Sequence, residues 1–288
     1  MFRLGLLLVF FSVIVGFLMA GGSFGVLLKP GEWLIIVGVA TGGFVMSNPK
    51  YLQKSVVMSL KKLTKPDSYQ KHHYLELLVF LFTFFKHSNS IGFAELENHI
   101  ENPEQSKIFL DHPILLHNKD GLTFFCDYFR IIALGFEDMQ VMENMMEAVL
   151  SEKRTYAHML SNAILKLSDS LPGIGIIAAV LGVIVAMRSA GADAAVLAAR
   201  VASALIGTFA GVFLSYGVVG PVGLFLEKLE EREVSFLECM KVAIMSYIGG
   251  CPPSIAVEFA RQIVPTEVRP SFHELEDWID NAAAAKQQ

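Results

Sequence analysis

LPGIGIIAAVLGVIVAM, residues Leu171 to Met187, is a 17-residue apolar run with one proline, three glycines and no ionisable side chain. A helix that crosses the hydrocarbon core of a bilayer needs about 20 such residues, fewer where neighbouring helices cover it, so the run reads as a membrane helix packed against others. A second run, Val201 to Phe225, follows an Ala-rich loop that begins after Arg188, and it again lacks Asp, Glu, Lys, Arg and His. Leu4 to Ala20 is a third candidate. Trp33 to Met46 is a shorter, glycine-rich fourth, joined to the third by the small-residue loop GGSFGVLLKPGE.

Composition agrees with that reading and excludes several function classes. The chain has 288 residues, 53% of them hydrophobic and only 18% charged, with a mean hydropathy of +0.49. Its apolar residues gather in blocks, as in an integral membrane protein rather than a soluble domain. A net charge of -5 with no basic stripe argues against a general nucleic-acid binder. Cys126, Cys239 and Cys251 are odd in number and lack C-x-x-C spacing, so they imply neither a disulfide framework nor a zinc site. His72 and His73 are adjacent, which is poor geometry for sharing one metal. With no Ser/His/Asp arrangement, Walker motif or dinucleotide fingerprint, the chain reads as a non-enzyme without cofactor or metal.

Charge placement sets the expected orientation. Residues 47–170 hold 13 of the 23 Lys and Arg residues and the stretch after Phe225 holds six, whereas Lys29 alone lies in the first short loop. By the positive-inside tendency the termini and the long middle segment face the cytoplasm. The expected fold is an all-α membrane protein. Residues 1–46 form a hairpin of spans at 4–20 and 33–46, and 47–170 a helical cytoplasmic domain. Residues 171–225 carry spans at 171–187 and 201–225, and 226–288 a C-terminal cytoplasmic helix and tail. Within the middle segment, VFLFTFFKHSNSIGFAELENHIENPEQSKIF predicts an apolar helix, a turn near Gly92, a short helix and a stop at Pro103. Helical spacing from Phe136 to Pro172 predicts a helix running up to the membrane, and the same spacing continues the last span past Pro221.

Ser203, Gly207, Gly211 and Ser215 recur every four residues and give one smooth helix face, and Gly175, Ala179, Gly182 and Ala186 repeat the theme one span earlier. Such faces serve either an approach by other chains or packing within one bundle. Ion transport needs a titrating group at membrane depth, and these runs contain none. Glu32, beside Trp33 at the outer end of its span, reads as an interfacial anchor, so a partner helix must supply the carboxylate. Thr208 is the main polar side chain on the small-residue face. Asp169 and Ser170 can cap a helix, which makes Pro172 a first-turn proline. Pro221 lies inside a helical pattern, where its missing N–H bends the helix and makes a hinge.

LPGIGIIAAVLGVI, GTFAGVFLSYGVVGP, CPPSIAVEFARQIVPTEVRPSFHELE, IENPE and DYFRIIALG closely resemble the MotA/PomA family, the pentamer-forming subunit of the bacterial flagellar stator. The resemblance runs from Leu4 to Glu276. It implies a multi-pass protein of the bacterial inner membrane, a lipid-embedded homopentamer around a MotB-like partner whose aspartate carries the ion, and torque delivered to the rotor protein FliG. It implies coupling roles for Pro172 and Pro221, and an ion-path role for Thr208. Sodium-driven relatives carry a threonine where this chain has Ala179; a bare sodium ion wants several oxygen ligands, so the transported ion is expected to be the proton. Glu97 matches the acidic residue that engages the rotor. The family arginine upstream aligns on Asn89, a departure for which Lys86, nearly one turn earlier, is the available replacement. The rival readings are a proton-channel subunit of the ExbB/TolQ type, whose members have three spans, and a non-conducting membrane scaffold. From Ala179, swimming speed is expected to follow proton-motive force and to ignore external sodium; a speed that scales with sodium would overturn that reading.

Overall fold

The computed structural model describes residues 2–63, 69–136, 138–188 and 194–285, and every regular element among them is helical. In chain order these are α1 (Phe2–Met19), α2 (Phe24–Leu27), α3 (Pro30–Ser47), α4 (Lys50–Lys62), α5 (Lys71–Ile91) and α6 (Phe93–Glu101). A 3-10 turn (Pro103–Gln105) leads to α7 (Lys107–Asp111), α8 (Ile114–His117), α9 (Lys119–Ala133) and α10 (Met139–Met187). Then come α11 (Ala194–Val212), a π-helical turn (Phe213–Val219), α12 (Gly220–Ile248), α13 (Pro253–Ile263) and α14 (Phe272–Ala285). Among the described residues, four helical stretches are long and apolar enough to cross a membrane: Phe2–Met19, Pro30–Ser47, Met139–Met187 and Ala194–Ile248. The Ala-rich loop expected after Arg188 falls largely on 189–193, outside the described residues.

The chain divides into two compact units, 1–66 with 156–229, and 67–155 with 230–288, so α10 and α12 supply residues to both. In the first unit α3 starts three residues before Trp33 because Pro30 takes the first helical position, where its missing N–H costs nothing. Ile36 and Ala40 of α3 are buried against Leu171, Ile174 and Ala178 of α10 and Ala210 of α11. A neighbouring cluster joins Leu52 and Val56 of α4 to Leu160, Ala163 and Ile164 of α10 and to Leu226 of α12. Helix α1 buries none of its own residues and touches the π-helical turn, with Phe10 edge-on to Phe213 at 5.4 Å between ring centroids.

The second unit has an aromatic core. Phe80, Phe84, Phe109, Phe125 and Phe129 are all at 5% exposure or less, and Phe84 lies edge-on to Phe125 with ring centroids 4.8 Å apart. Edge-to-face pairs add attraction beyond the area they bury. The expected turn at Gly92 is present: its φ of 82° lies in the left-handed region that a side chain resists, and it separates α5 from α6. Burial pushes the Cys126 thiol up to about 12 and raises that of Cys239 as well, so both stay protonated at neutral pH.

Two expectations change. Pro172 is not a first-turn residue: α10 runs unbroken through it, and Ser170 Oγ donates to the Leu167 carbonyl at 2.7 Å instead of capping a new helix. Helical spacing on both sides outweighs the local cap signal. At Pro221 the backbone departs from regular helix one turn earlier than the proline, in the π-helical turn 213–219. From the aromatic core, Phe125→Ala is expected to cost about 3–5 kcal/mol in the purified chain, while Leu110→Ala, at 54% exposure, stays within about 0.5 kcal/mol; near-UV circular dichroism melts compare the two.

Candidate functional site

The site grows from the crossing of α10 and α11. A Cβ on Gly175 would stand 2.7 Å from the Gly207 carbonyl oxygen and 3.0 Å from the Gly211 Cα. One on Gly211 would stand 2.6 Å from the Leu171 carbonyl oxygen, and one on Gly182 2.8 Å from the Ala204 Cβ. Glycine is required because backbone meets backbone at 175 and 211, and backbone meets the Ala204 methyl and Cα at 182. The two small-residue faces therefore pack on one another within a single chain. At Gly175, Gly182, Gly207 and Gly211 the contacts lie within the bundle.

Ala179 is buried in this seam, its amide nitrogen 3.0 Å from where a Gly207 Cβ would sit. Thr208, half-buried, is the next residue on α11. The structure thus brings Ala179 and Thr208 to one crossing, with Pro172 next to the Leu171 carbonyl that Gly211 contacts. Pro221 is exposed, at the second position of α12. Ser215 leaves the small-residue face: it is buried in the π-helical turn, where Ser168 Oγ donates to its carbonyl at 2.9 Å.

Ser203 also does more than pack. Its hydroxyl donates to Glu32 Oε1 at 3.1 Å, and the other carboxylate oxygen of Glu32 is buried without a hydrogen-bond partner. The pair lines a cavity of about 370 Å³ together with Lys29, Ala178, Gly182 and Arg200. Glu32 is therefore turned toward Ser203 in the helix bundle rather than displayed as an interfacial anchor; Trp33 Nε1–H donates to the Leu27 carbonyl at 3.0 Å. The missed signal was Pro30, which starts the helix early enough to turn Glu32 toward Ser203.

In the second unit Glu97 is exposed on α6. Of its acidic neighbours, Glu101 is held by Arg130 Nε at 2.5 Å, while Glu95 is outside the described side chains. Asn89 accepts the Tyr247 hydroxyl at 2.7 Å and borders a cavity of about 670 Å³ with Gly135, Phe136 and Cys251. Arginine, which has no acceptor atom, could not take that bond. Lys86 is exposed, its ammonium 5.9 Å from the Phe82 ring centroid. Among the described residues no group of three or more His, Cys, Asp or Glu side chains is placed to hold a metal ion.

The chain matches two family models, motility protein A N-terminal over residues 3–92 and the MotA/TolQ/ExbB proton channel family over 127–238. Motility protein A of Escherichia coli K12 is 36% identical over 99% of this chain and 97% of its own length. Motility protein A of Salmonella typhimurium LT2 is 35% identical over the same shares. The C. jejuni MotAB structure superposes with a TM-score of 0.77 at 18% identity, covering 94% of this chain and 98% of that one. Because Gly211 has no room for a side chain, Gly211→Val is expected to destabilise the α10–α11 crossing by about 1–3 kcal/mol. Gly42→Ala, with nothing within 4 Å, should be tolerated; protease resistance of the detergent-purified chain reads both.

Proposed function

Because the chain belongs to the motility protein A family, we propose that it is a flagellar motor stator subunit, which with a MotB-like partner forms a proton-conducting complex and applies torque to FliG. The single observation that carries this reading is similarity at 36% identity along 99% of the chain, with four helical stretches apolar enough to span a membrane. The four stretches also favour the stator over an ExbB/TolQ-type subunit, for which three spans are expected. The family is one of ion channels rather than enzymes.

The seam explains why the partner must supply the titrating group. No Asp, Glu, Lys, Arg or His lies in 171–187 or 201–225, and the glycine contacts leave no space for one. Five copies ring the partner's helices in the inner membrane, with both termini, residues 47–170 and residues 226–288 in the cytoplasm. Protonation of the partner aspartate alters its fit against the α10–α11 pair beside half-buried Thr208, with Ala179 in the seam behind it. A membrane potential supplies ~2.3 kcal/mol per charge per 100 mV, enough for a modest repacking and far short of unfolding a domain. Pro172 and Pro221 place backbone without N–H donors in the two helices that contribute to both units, so a step in the membrane part has points at which to bend.

Glu97 and Lys86 are the exposed charges on the expected rotor face. Lys86 takes the cationic role, since Asn89 is engaged by Tyr247. Isolated surface pairs contribute only ~0–1 kcal/mol, so a contact spread over several charges tolerates the asparagine.

The test is to delete the gene, re-induce it with its partner and follow single beads on flagellar stubs. Rotation returning in discrete, equal speed increments is the expected result. Continued rotation in the deletion strain, with no increments on re-induction, would contradict the stator assignment.

A further inference from the structure

We propose that Ser168 is a positioning residue for torque generation: its hydroxyl fixes the π-helical register of residues 213–219 and thereby the angular setting of the coupling face against the chain around Pro221. The torque readout rests on the stator reading above; the structural readout does not.

A π-helical turn accommodates one residue more than the α-helix allows, and it persists where something outside the helix stabilises it. Here the Ser215 carbonyl accepts two donors. One is the Gly220 amide, five residues on, the bond that defines the π register. The other is Ser168 Oγ of α10 at 2.9 Å, with the two serine hydroxyl oxygens 3.2 Å apart. Both serines are buried, at 4% and 1% exposure, so their polar atoms must satisfy each other. A Cβ at Gly220 would lie 3.0 Å from the Ser215 carbonyl and 3.1 Å from Ser168 Oγ. Glycine at 220 therefore lets this bond form.

The bond sits between the two prolines. Ser168 is four residues before Pro172, whose missing N–H frees the Ser168 carbonyl from its helical bond. Pro221 likewise leaves one carbonyl without its donor in either register, Gly217 in the α form and Tyr216 in the π form. The proline therefore does not choose between the two, and the Ser168 hydroxyl does. The registers differ by one residue, which corresponds to about 100° of rotation or about 1.5 Å of rise. A change of register would turn α11, with Thr208, against residues 220–229.

Four variants in the full chain, co-purified with its partner, test this. Amide hydrogen exchange over 213–221 reports the register, and bead re-induction reports assembly, as the number of speed increments, separately from torque, as their height. Ser168→Ala is expected to speed exchange about five- to tenfold, the effect of one lost hydrogen bond, and to lower step height at an unchanged number of steps. Ser168→Thr, which keeps the donor, restores both. Ser215→Ala, which keeps the carbonyl, leaves both near wild type. Ser168→Cys, a similar shape with a weak donor, gives intermediate exchange and serves if the alanine variant does not assemble. Wild-type exchange in Ser168→Ala or in Ser168→Cys overturns the proposal, as does an effect of Ser215→Ala equal to that of Ser168→Ala. Wild-type beads that never step would instead refute the stator reading, while the exchange result would still decide the role of Ser168.

Discussion

Backbone contact between α10 and α11 is the constraint on which the first unit depends. Gly175, Gly182, Gly207 and Gly211 leave only alanine methyls between the helices, which approach until Cα and carbonyl atoms of Gly175, Gly207 and Gly211 touch. Lipid tails are as apolar as the helices, so burial alone does not hold such helices together; close van der Waals contact does. That contact builds the surface on which α3 seats Ile36 and Ala40. It also leaves no ionisable group in the seam, which is why the proposed function takes its titrating carboxylate from another chain.

The same packing places the polar atoms at its ends. Glu32 and Ser203 meet beside one end and Ser168 and Ser215 at the other, while the middle holds Ala179 and Thr208. Each polar pair bonds because burial makes an unmet donor or acceptor costly. The second unit is held differently, by a core of phenylalanines and by surface ion pairs such as Arg130 with Glu101 and Lys241 with Glu147. Lys241 and Arg154 hold the Glu147 carboxyl below the usual carboxylate range. That contribution is present above the ordinary carboxylate pKa and is lost as pH falls through the lowered one.

Much of the fold was legible because apolar runs and helical spacing are local signals. The runs at Leu4, Trp33, Leu171 and Val201, the turn at Gly92 and the long helix leading to Leu171 could be read without knowledge of any contact. Features set by a distant partner were not legible. Asp169 and Ser170 carry a helix-start signature, yet the helix passes through Pro172. The four-residue spacing of small residues gave the faces but not what covers them, since only the fold shows that each face covers the other. Ser215 matched the small-residue period but is diverted by Ser168, 47 residues away. Asn89 was visible as a departure from the family arginine; its bond to Tyr247, 158 residues on, was not.

The most direct test of the seam is a cysteine pair at its end, Ser168→Cys with Ser215→Cys, in a full chain whose three native cysteines are replaced by alanine. The chain is oxidised in the membrane and its peptides are identified by mass spectrometry. Closure within one chain predicts a bridge in monomer-sized protein, because the side-chain oxygens of Ser168 and Ser215 lie 3.2 Å apart within one chain. Bridges found only in dimer-sized and larger species would contradict it, and would mean that the glycine faces serve neighbouring copies.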